Sequence, residues 1–150
     1  MANVQQFNAE LAAWMERVVM PAAAQMQRDV LRDTAYGFVD GNPVGDPRFW
    51  VSQRPKPGYV GGHSKRNWRV YLHRSYEGGE RNGVDPTGQL VKSEIDVVVG
   101  RIGAKPVDFV TISNPVEYME RLANGWSKQA PAGWIEAVVA RVTQKYARVK

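Results

Sequence analysis

The side chains best suited to chemistry are two histidines, His63 and His73, in a chain that contains no cysteine. His63 stands next to Ser64, and a histidine near a serine can serve nucleophilic catalysis when an acid orients its ring. No acidic residue lies nearby in the sequence, and His73 falls on a predicted strand. Because this pattern supplies no nucleophile, base and acid together, we predict no catalytic residue and a protein that is not an enzyme.

Metal and cofactor sites also lack a sequence signal. Two histidines with unrelated spacing do not make a metal pattern, and cysteine is absent from the chain, so zinc-thiolate sites are excluded. Residues 58–65, GYVGGHSK, resemble a phosphate loop only in their glycines, since the lysine follows the serine and leads into a strand. We expect no metal and no cofactor.

A basic and aromatic stretch at residues 48–69 offers a different chemistry, contact with nucleic acid. Cations can pair with phosphates, and interleaved aromatic rings can stack on bases. The candidate phosphate contacts are Arg48, Arg54, Lys56, Lys65 and Arg66. The chain carries a net charge of +5 but has no block of five basic residues, and an ordinary basic domain has the same composition. A small DNA-binding module using this loop is therefore the alternative function.

Length and composition limit the architecture. The 150 residues, 43% of them apolar, suit one domain over residues 1–150 that buries a normal core. The first residues have neither a basic region nor a continuous apolar region, and no run of about 18 apolar residues occurs. We therefore expect a soluble protein that is not exported and does not contact a membrane.

The first half of the chain is predicted to be a helix followed by a long loop. Apolar residues recur every three or four positions over residues 7–33, with Asn8 as the N-cap and Phe7 as the preceding apolar residue. Pro21 removes a backbone donor, so we expect a kink there. Residues 36–65 hold many glycines and prolines and are predicted to be a loop, with a short extended piece at 48–53.

The second half is predicted to contain strands and two helices. Alternating or β-branched residues favour strands at 67–74, 95–99 and 107–112, the last two as an antiparallel hairpin. Residues 75–92 are expected to be an exposed, mobile loop. A short helix at 115–124 ending at Gly125 and a terminal helix at 133–148 complete the chain. The fold class is α+β, with an antiparallel sheet of three to four strands and helices on one of its faces.

The segment from 112 to 135 is dense in turn-forming and packing residues. It contains Ser113-Asn114, then Tyr118, and a run with Gly125, Ser127, Gln129, Ala130, Pro131 and Gly133. With Pro43-Val44, Gly61-Gly62 and Asn67-Trp68 earlier in the chain, this order resembles the tail-completion or neck proteins of long-tailed bacteriophages, the group that includes minor tail protein Z. The six fixed positions within nine residues make the resemblance specific.

The resemblance implies a structural virion protein at the head–tail junction, made in the host cytoplasm. Such a protein would form a ring, expected to be a hexamer, whose copies meet through different patches. Its other partners would be a head-closure or connector protein and a tail terminator or tail tube protein, with non-specific contact to phage DNA. The predicted interface residues are Phe49, Trp50, Tyr59, Asn67, Trp68, Tyr118, Trp126, Ser127, Gln129, Pro131 and Trp134.

Overall fold

The structure, a computed structural model, describes residues 3–49 and 57–148. Trp50, Arg54 and Lys56 lie outside the described residues, as does most of the extended piece predicted at 48–53. The described chain is a mixture of helix and sheet and is mostly helical. Its helices are α1 (Val4–Trp14), α2 (Met20–Gly41), α3 (His63–Arg66), α4 (Gln89–Val99), α5 (Met119–Ala123) and α6 (Trp134–Ala147).

The N-terminal helix is longer than predicted at both ends. Asn3, not Asn8, is the N-cap, and its side chain accepts a hydrogen bond from the backbone N–H of Gln5 at 3.0 Å. A π-helical segment, Met15–Val19, joins α1 to α2. Pro21 lies in the first turn of α2, directly after this segment. In place of the kink predicted at Pro21, the structure has a π-helical turn just before it, within one continuous run of helix.

Helix α2 continues to Gly41 because glycine lets α6 approach it closely. A Cβ atom at Gly37 would collide with Val138, and one at Gly41 would lie 2.7 Å from Cε3 of Trp134. These two glycines suggested a loop from residue 36, because glycine often interrupts helices. Their role here is to let the two helices touch, and this contact offsets their low helix propensity. The loop accordingly begins after Gly41 and includes a 3₁₀ turn, Pro47–Phe49, and α3.

The strand predicted at 95–99 was wrong, because these residues belong to α4, and the loop predicted at 75–92 ends four residues earlier than predicted, where α4 begins at Gln89. The buried residues of α4 are Val91, Ile95 and Val99, which recur every four positions as one face of a helix does. The carboxylate of Asp85, itself buried, accepts hydrogen bonds from the backbone N–H groups of Gly88 and Val91 at 3.0 and 2.9 Å. This capping fixes the start of α4.

The sheet of the described chain has two strands, so the prediction of three to four strands was wrong. Strand β1 (Arg69–Leu72) pairs antiparallel with β2 (Val110–Ser113), and Arg69 lies opposite Ser113. The strand predicted at 67–74 is confirmed in its central part, and the strand predicted at 107–112 is confirmed in its C-terminal half. These two strands pair directly with each other, and the segment of chain that connects them contains α4. Helix α4 therefore replaces the first strand of the predicted hairpin.

The hydrophobic core lies between α2, α4, α6 and the sheet. Its buried members include Leu31, Phe38 and Val39 of α2, which pack with residues of all these elements. The short helix and the terminal helix were predicted correctly in kind, and Gly125, with φ of 83°, occupies the left-handed conformation expected of a glycine that follows a helix.

Candidate interaction surfaces

Two of the tryptophans predicted at an interface lie in the core. Trp68 is 5% exposed and Trp134 is 4% exposed. Their ring centroids are 6.3 Å apart in an edge-on arrangement, and Phe38 stacks on Trp68 at 5.0 Å. The indole N–H of Trp134 donates to the carbonyl oxygen of Leu122 at 3.1 Å, which ties α6 to α5. Both rings therefore hold this chain together.

Asn42 connects the end of α2 to the core tryptophan and to α3. It is 2% exposed, and its Oδ1 accepts a hydrogen bond from the indole N–H of Trp68 at 3.0 Å. Its Nδ2 donates to Oγ of Ser64 at 2.7 Å and to the carbonyl oxygen of Pro43 at 2.9 Å. Every polar atom of this buried amide is thus paired, as burial requires. Asn42 was not among the predicted site residues.

Asn67, predicted at an interface, is fully buried and organises the chain after β1. Its Oδ1 accepts from the backbone N–H of Arg81 at 2.6 Å, and its Nδ2 donates to the carbonyl oxygens of His63 and Arg81 at 2.9 and 3.2 Å. Because the two bonds to Arg81 reach across 14 residues, they fix part of the segment that had been predicted to be mobile.

The bend before α6 is joined to the loop after α2. Oε1 of Gln129 accepts from the backbone N–H groups of Gly45 and Asp46 at 3.1 and 3.4 Å. Oγ of Ser127 accepts from the backbone N–H of Gln129 at 3.2 Å, which orients the residue. Gln129 and Ser127, both predicted at an interface, thus make internal contacts, and they bring together two segments that carry the resemblance.

Among the other predicted interface residues that the structure describes, four aromatic side chains are exposed. Phe49, Tyr59 and Tyr118 are each about two-fifths exposed, and Trp126 is 72% exposed. The guanidinium of Arg121 lies 5.0 Å from the centre of the Trp126 ring, a cation–π contact. Burial of part of the ring raises the pKa of the Tyr118 hydroxyl. Pro131 is also exposed.

Of the three described basic side chains predicted to contact phosphate, two are paired with carboxylates and one is buried. Arg48 pairs with Asp46 at 2.5 Å, and the hydrogen bond from its side chain lowers the pKa of that carboxyl. Arg66 donates to Oε2 of Glu94 at 2.9 Å. Lys65 is 6% exposed, and burial lowers its pKa.

His63 has a carboxylate partner that the sequence did not reveal. Its Nε2 lies 2.9 Å from Oε2 of Glu80, and its Nδ1 lies 3.1 Å from the carbonyl oxygen of Gly83. The hydrogen bond to Glu80 raises the pKa of His63. Both ring nitrogens face oxygen atoms, and the hydroxyl of Ser64 is bonded to Asn42. The arrangement is an ion pair that fastens residues 80–83 to α3, and it leaves neither nitrogen directed at a nucleophile.

The described residues contain no cluster of three histidine or acidic side chains that could hold a metal ion. Within the same part of the chain, every helix is too short or too polar to cross a membrane.

An exposed apolar surface lies on α1 and the π-helical segment. Throughout Val4–Trp14, which the structure describes completely, no residue is buried. Five large side chains recur at spacings of three and four, as they do on one face of a helix. This apolar stripe consists of Val4, Phe7, Leu11, Trp14 and Val18, which are 45–71% exposed. The three- and four-residue periodicity of the sequence included Phe7, Leu11 and Val18 of this stripe.

An open apolar groove of about 620 Å³ lies along α2 beside β2. None of the described residues that line it carries a charge. Its lining residues are Ala23, Met26, Gln27, Val30, Leu31, Thr34, Phe38, Val110 and Ile112. One wall is fixed by Gln27, whose amide exchanges two hydrogen bonds, of 2.9 and 2.8 Å, with the backbone of Val107.

Comparisons of this chain with protein-family models, with curated proteins and with solved structures find no match.

Proposed function

We propose that this chain is a structural assembly protein of a long-tailed bacteriophage, which forms a ring at the head–tail junction and helps to join the tail to the head. The observation that carries the assembly role is the apolar stripe on α1. Exposed apolar patches of more than a few hundred Å² on a monomer usually mark an interaction site. Phe7 and Trp14, each half or more exposed, contribute roughly 200 Å² to such a patch.

The sequence resemblance to tail-completion and neck proteins supplies the place of assembly. The segments that carry it are far apart in sequence but joined in the fold. Gln129 bonds the loop that follows Pro43-Val44, and the side chain of Asn114 donates to the carbonyl oxygen of Ser64 at 2.7 Å, next to the Gly61-Gly62 and Asn67-Trp68 segments. This association supports the resemblance, because the matching residues then belong to one structural unit.

A structural role fits the chemistry of the site better than turnover or DNA binding does. His63 is paired with Glu80 and the backbone, so it is not directed at Ser64. Arg48 and Arg66 are paired with carboxylates, which reduces their attraction for phosphate. The partners of the ring would be a head-closure or connector protein and a tail terminator or tail tube protein.

Disruption of the coding sequence in the phage that carries it tests this proposal. We expect complete heads and complete tails that remain separate in electron micrographs, together with loss of infectivity. Supply of the wild-type protein from a plasmid should restore joined particles. Infectious, normally joined particles without the protein would refute the proposal. Binding of the purified protein to duplex DNA, with affinity that falls steeply as salt rises, would favour the DNA-binding alternative.

A further inference from the structure

We propose that the apolar stripe on α1 of one copy docks in the α2–β2 groove of a second copy of this chain, so that copies join head to tail. The contact rests on the proposed assembly role and specifies which surfaces meet. The stripe consists of the five α1 and π-segment residues named above, and the groove is the open apolar channel beside β2.

The two surfaces match in length. Along a helix axis, Val4 and Val18 are roughly 21 Å apart at 1.5 Å per residue, and Ala23 and Phe38, the ends of the groove along α2, are roughly 22 Å apart. A helix laid along α2 would therefore fill the groove from end to end. Recognition of this kind, with apolar anchors at every third or fourth residue, is the usual way in which a helix binds a groove.

The charges of the helix that carries the stripe indicate that the stripe binds protein. Along Val4–Val18 the charged residues are Glu10, Glu16 and Arg17, so acidic side chains outnumber basic ones. A helix that binds nucleic acid or an anionic membrane surface needs several lysines or arginines on its polar face. This stretch has one arginine, whose Nε already donates to the carbonyl oxygen of Ala13 at 3.2 Å. The groove is lined by uncharged side chains, so the net charge of +5 is kept away from the contact.

The same molecule cannot supply both surfaces to itself while its helix remains intact. The stripe and the groove lie on consecutive parts of one helical run, joined by the π-helical segment Met15–Val19. Nζ of Lys105 pairs with Glu16 at 2.9 Å, which holds this segment against the body of the protein. An α1 that lies in the groove must therefore belong to another copy. A contact between unlike patches is heterologous and can propagate around a ring.

Pairing of α1 with α1 of a second copy is the main rival arrangement. The stripe covers only two heptads, and sequence patterns that specify a coiled coil run over at least three or four. Such pairing would also leave the groove open to water, including Met26, which is 41% exposed. Docking in the groove buries both apolar surfaces and so yields more hydrophobic free energy.

Cysteine cross-linking tests the contact, because the natural chain has no cysteine. We would introduce Asn8→Cys beside the stripe in one preparation and Met26→Cys at the groove in another, and treat them with a short thiol-reactive cross-linker separately and mixed. The mixture should give a cross-linked dimer that neither variant gives alone. A chain carrying both substitutions should give a ladder of higher species.

Two charge variants provide the matched comparison. Leu11→Glu, placed in the stripe of the Asn8→Cys chain, should reduce the yield of mixed dimer at least about tenfold, because it would bury an unpaired carboxylate. Ala9→Glu, an equal charge on the opposite face of α1, should leave the yield unchanged. Circular dichroism would confirm that both variants are folded.

The opposite results are equally specific. Cross-linking of Asn8→Cys to itself as strongly as to Met26→Cys would establish α1–α1 pairing and overturn the proposal. Absence of the mixed dimer would also overturn the docking proposal. If the protein nevertheless formed an oligomer through another surface, the proposed assembly role would remain. Joined, infectious particles made without the protein would refute the phage role and leave a demonstrated contact intact.

Discussion

Two regions of this molecule use the same residue types in opposite ways. In the core around Asn42, the aromatic rings of Trp68 and Trp134 are buried and both indole N–H groups are bonded within the chain. On α1, Phe7 and Trp14 remain half or more exposed on a helix with no buried residue along its fully described length. Helical periodicity is as clear in α1 as in α6, the core helix that begins at Trp134. It identifies the element, and the presence of a second surface nearby decides whether the apolar face is covered.

The comparison predicts that the largest loss of stability follows from substitution of Trp68 in the core. Replacing Trp68 by alanine removes a ring that packs on Phe38 and Trp134, and we expect a loss of about 3–5 kcal/mol in the free energy of unfolding. Chemical denaturation measures it. The matched control is Trp126→Ala, at a ring that is 72% exposed, where the change should stay within about 0.5 kcal/mol. Equal losses at the two tryptophans would erase the distinction between the regions.

Asn42→Ala should have the next largest effect. It leaves the indole N–H of Trp68 without its acceptor in a buried place, at a cost of roughly 1–3 kcal/mol for such a group. Asn8→Ala, on exposed α1, serves as the control and should be nearly neutral. A stable Asn42→Ala protein with unchanged denaturation midpoint would show that the buried amide is not needed to join α2 to the core.

The His63–Glu80 pair should give a smaller effect that depends on pH. The pKa of His63 is raised from 6.5, so its contribution to stability is complete below that value and is lost as pH rises through the higher folded-state pKa. The pKa of Glu80 is lowered from 4.5, chiefly by its hydrogen bond with His63, so its contribution is lost as pH falls through the lower folded-state pKa. The pair should therefore stabilise most between pH 4.5 and 6.5.

Comparison of the wild-type protein with His63→Gln over this pH range measures the contribution. Both side chains are about a third exposed, so the difference in unfolding free energy should stay below about 1 kcal/mol. It should be greatest within the window and decline above it. A difference that does not vary with pH would contradict an ionic role for the pair.

The smallest effect on stability is expected on α1. Leu11→Glu should change the free energy of unfolding of the monomer by no more than about 0.5 kcal/mol, because Leu11 is 45% exposed and α1 buries nothing in this chain. Thermal denaturation in dilute solution is the appropriate measurement. A loss of 2 kcal/mol or more, the range typical of core substitutions, would mean that the stripe is already covered by its own chain.

The sequence predicted those elements whose local signals agree with their packing. Helix α6 and the strands β1 and β2 are of this kind. It failed at α4, because the β-branched run Val97, Val98 and Val99 favours a strand, whereas the packing of Val91, Ile95 and Val99 against α2 and the capping by Asp85 favour a helix. Tertiary contacts decide such a case.

For the candidate site, the sequence could identify tryptophans but not their surroundings. Trp is frequent both in cores and at interfaces, since it combines a large apolar ring with one donor. Trp68 and Trp134 were thus predicted at an interface and lie inside, while Trp126 stays a prediction. The Glu80 partner of His63 is 17 residues away and enters only through the fold. The groove was equally hidden, because α2 and β2 are distant in sequence.

The central claim is that the stripe on α1 binds another chain. The mass of the purified native protein in solution tests this claim most directly. We expect native mass spectrometry of concentrated wild-type protein and of Ala9→Glu to show oligomers, and Leu11→Glu to show monomers with the same helical content. Oligomers of equal mass and abundance in all three proteins, or monomers in all three, would contradict the account.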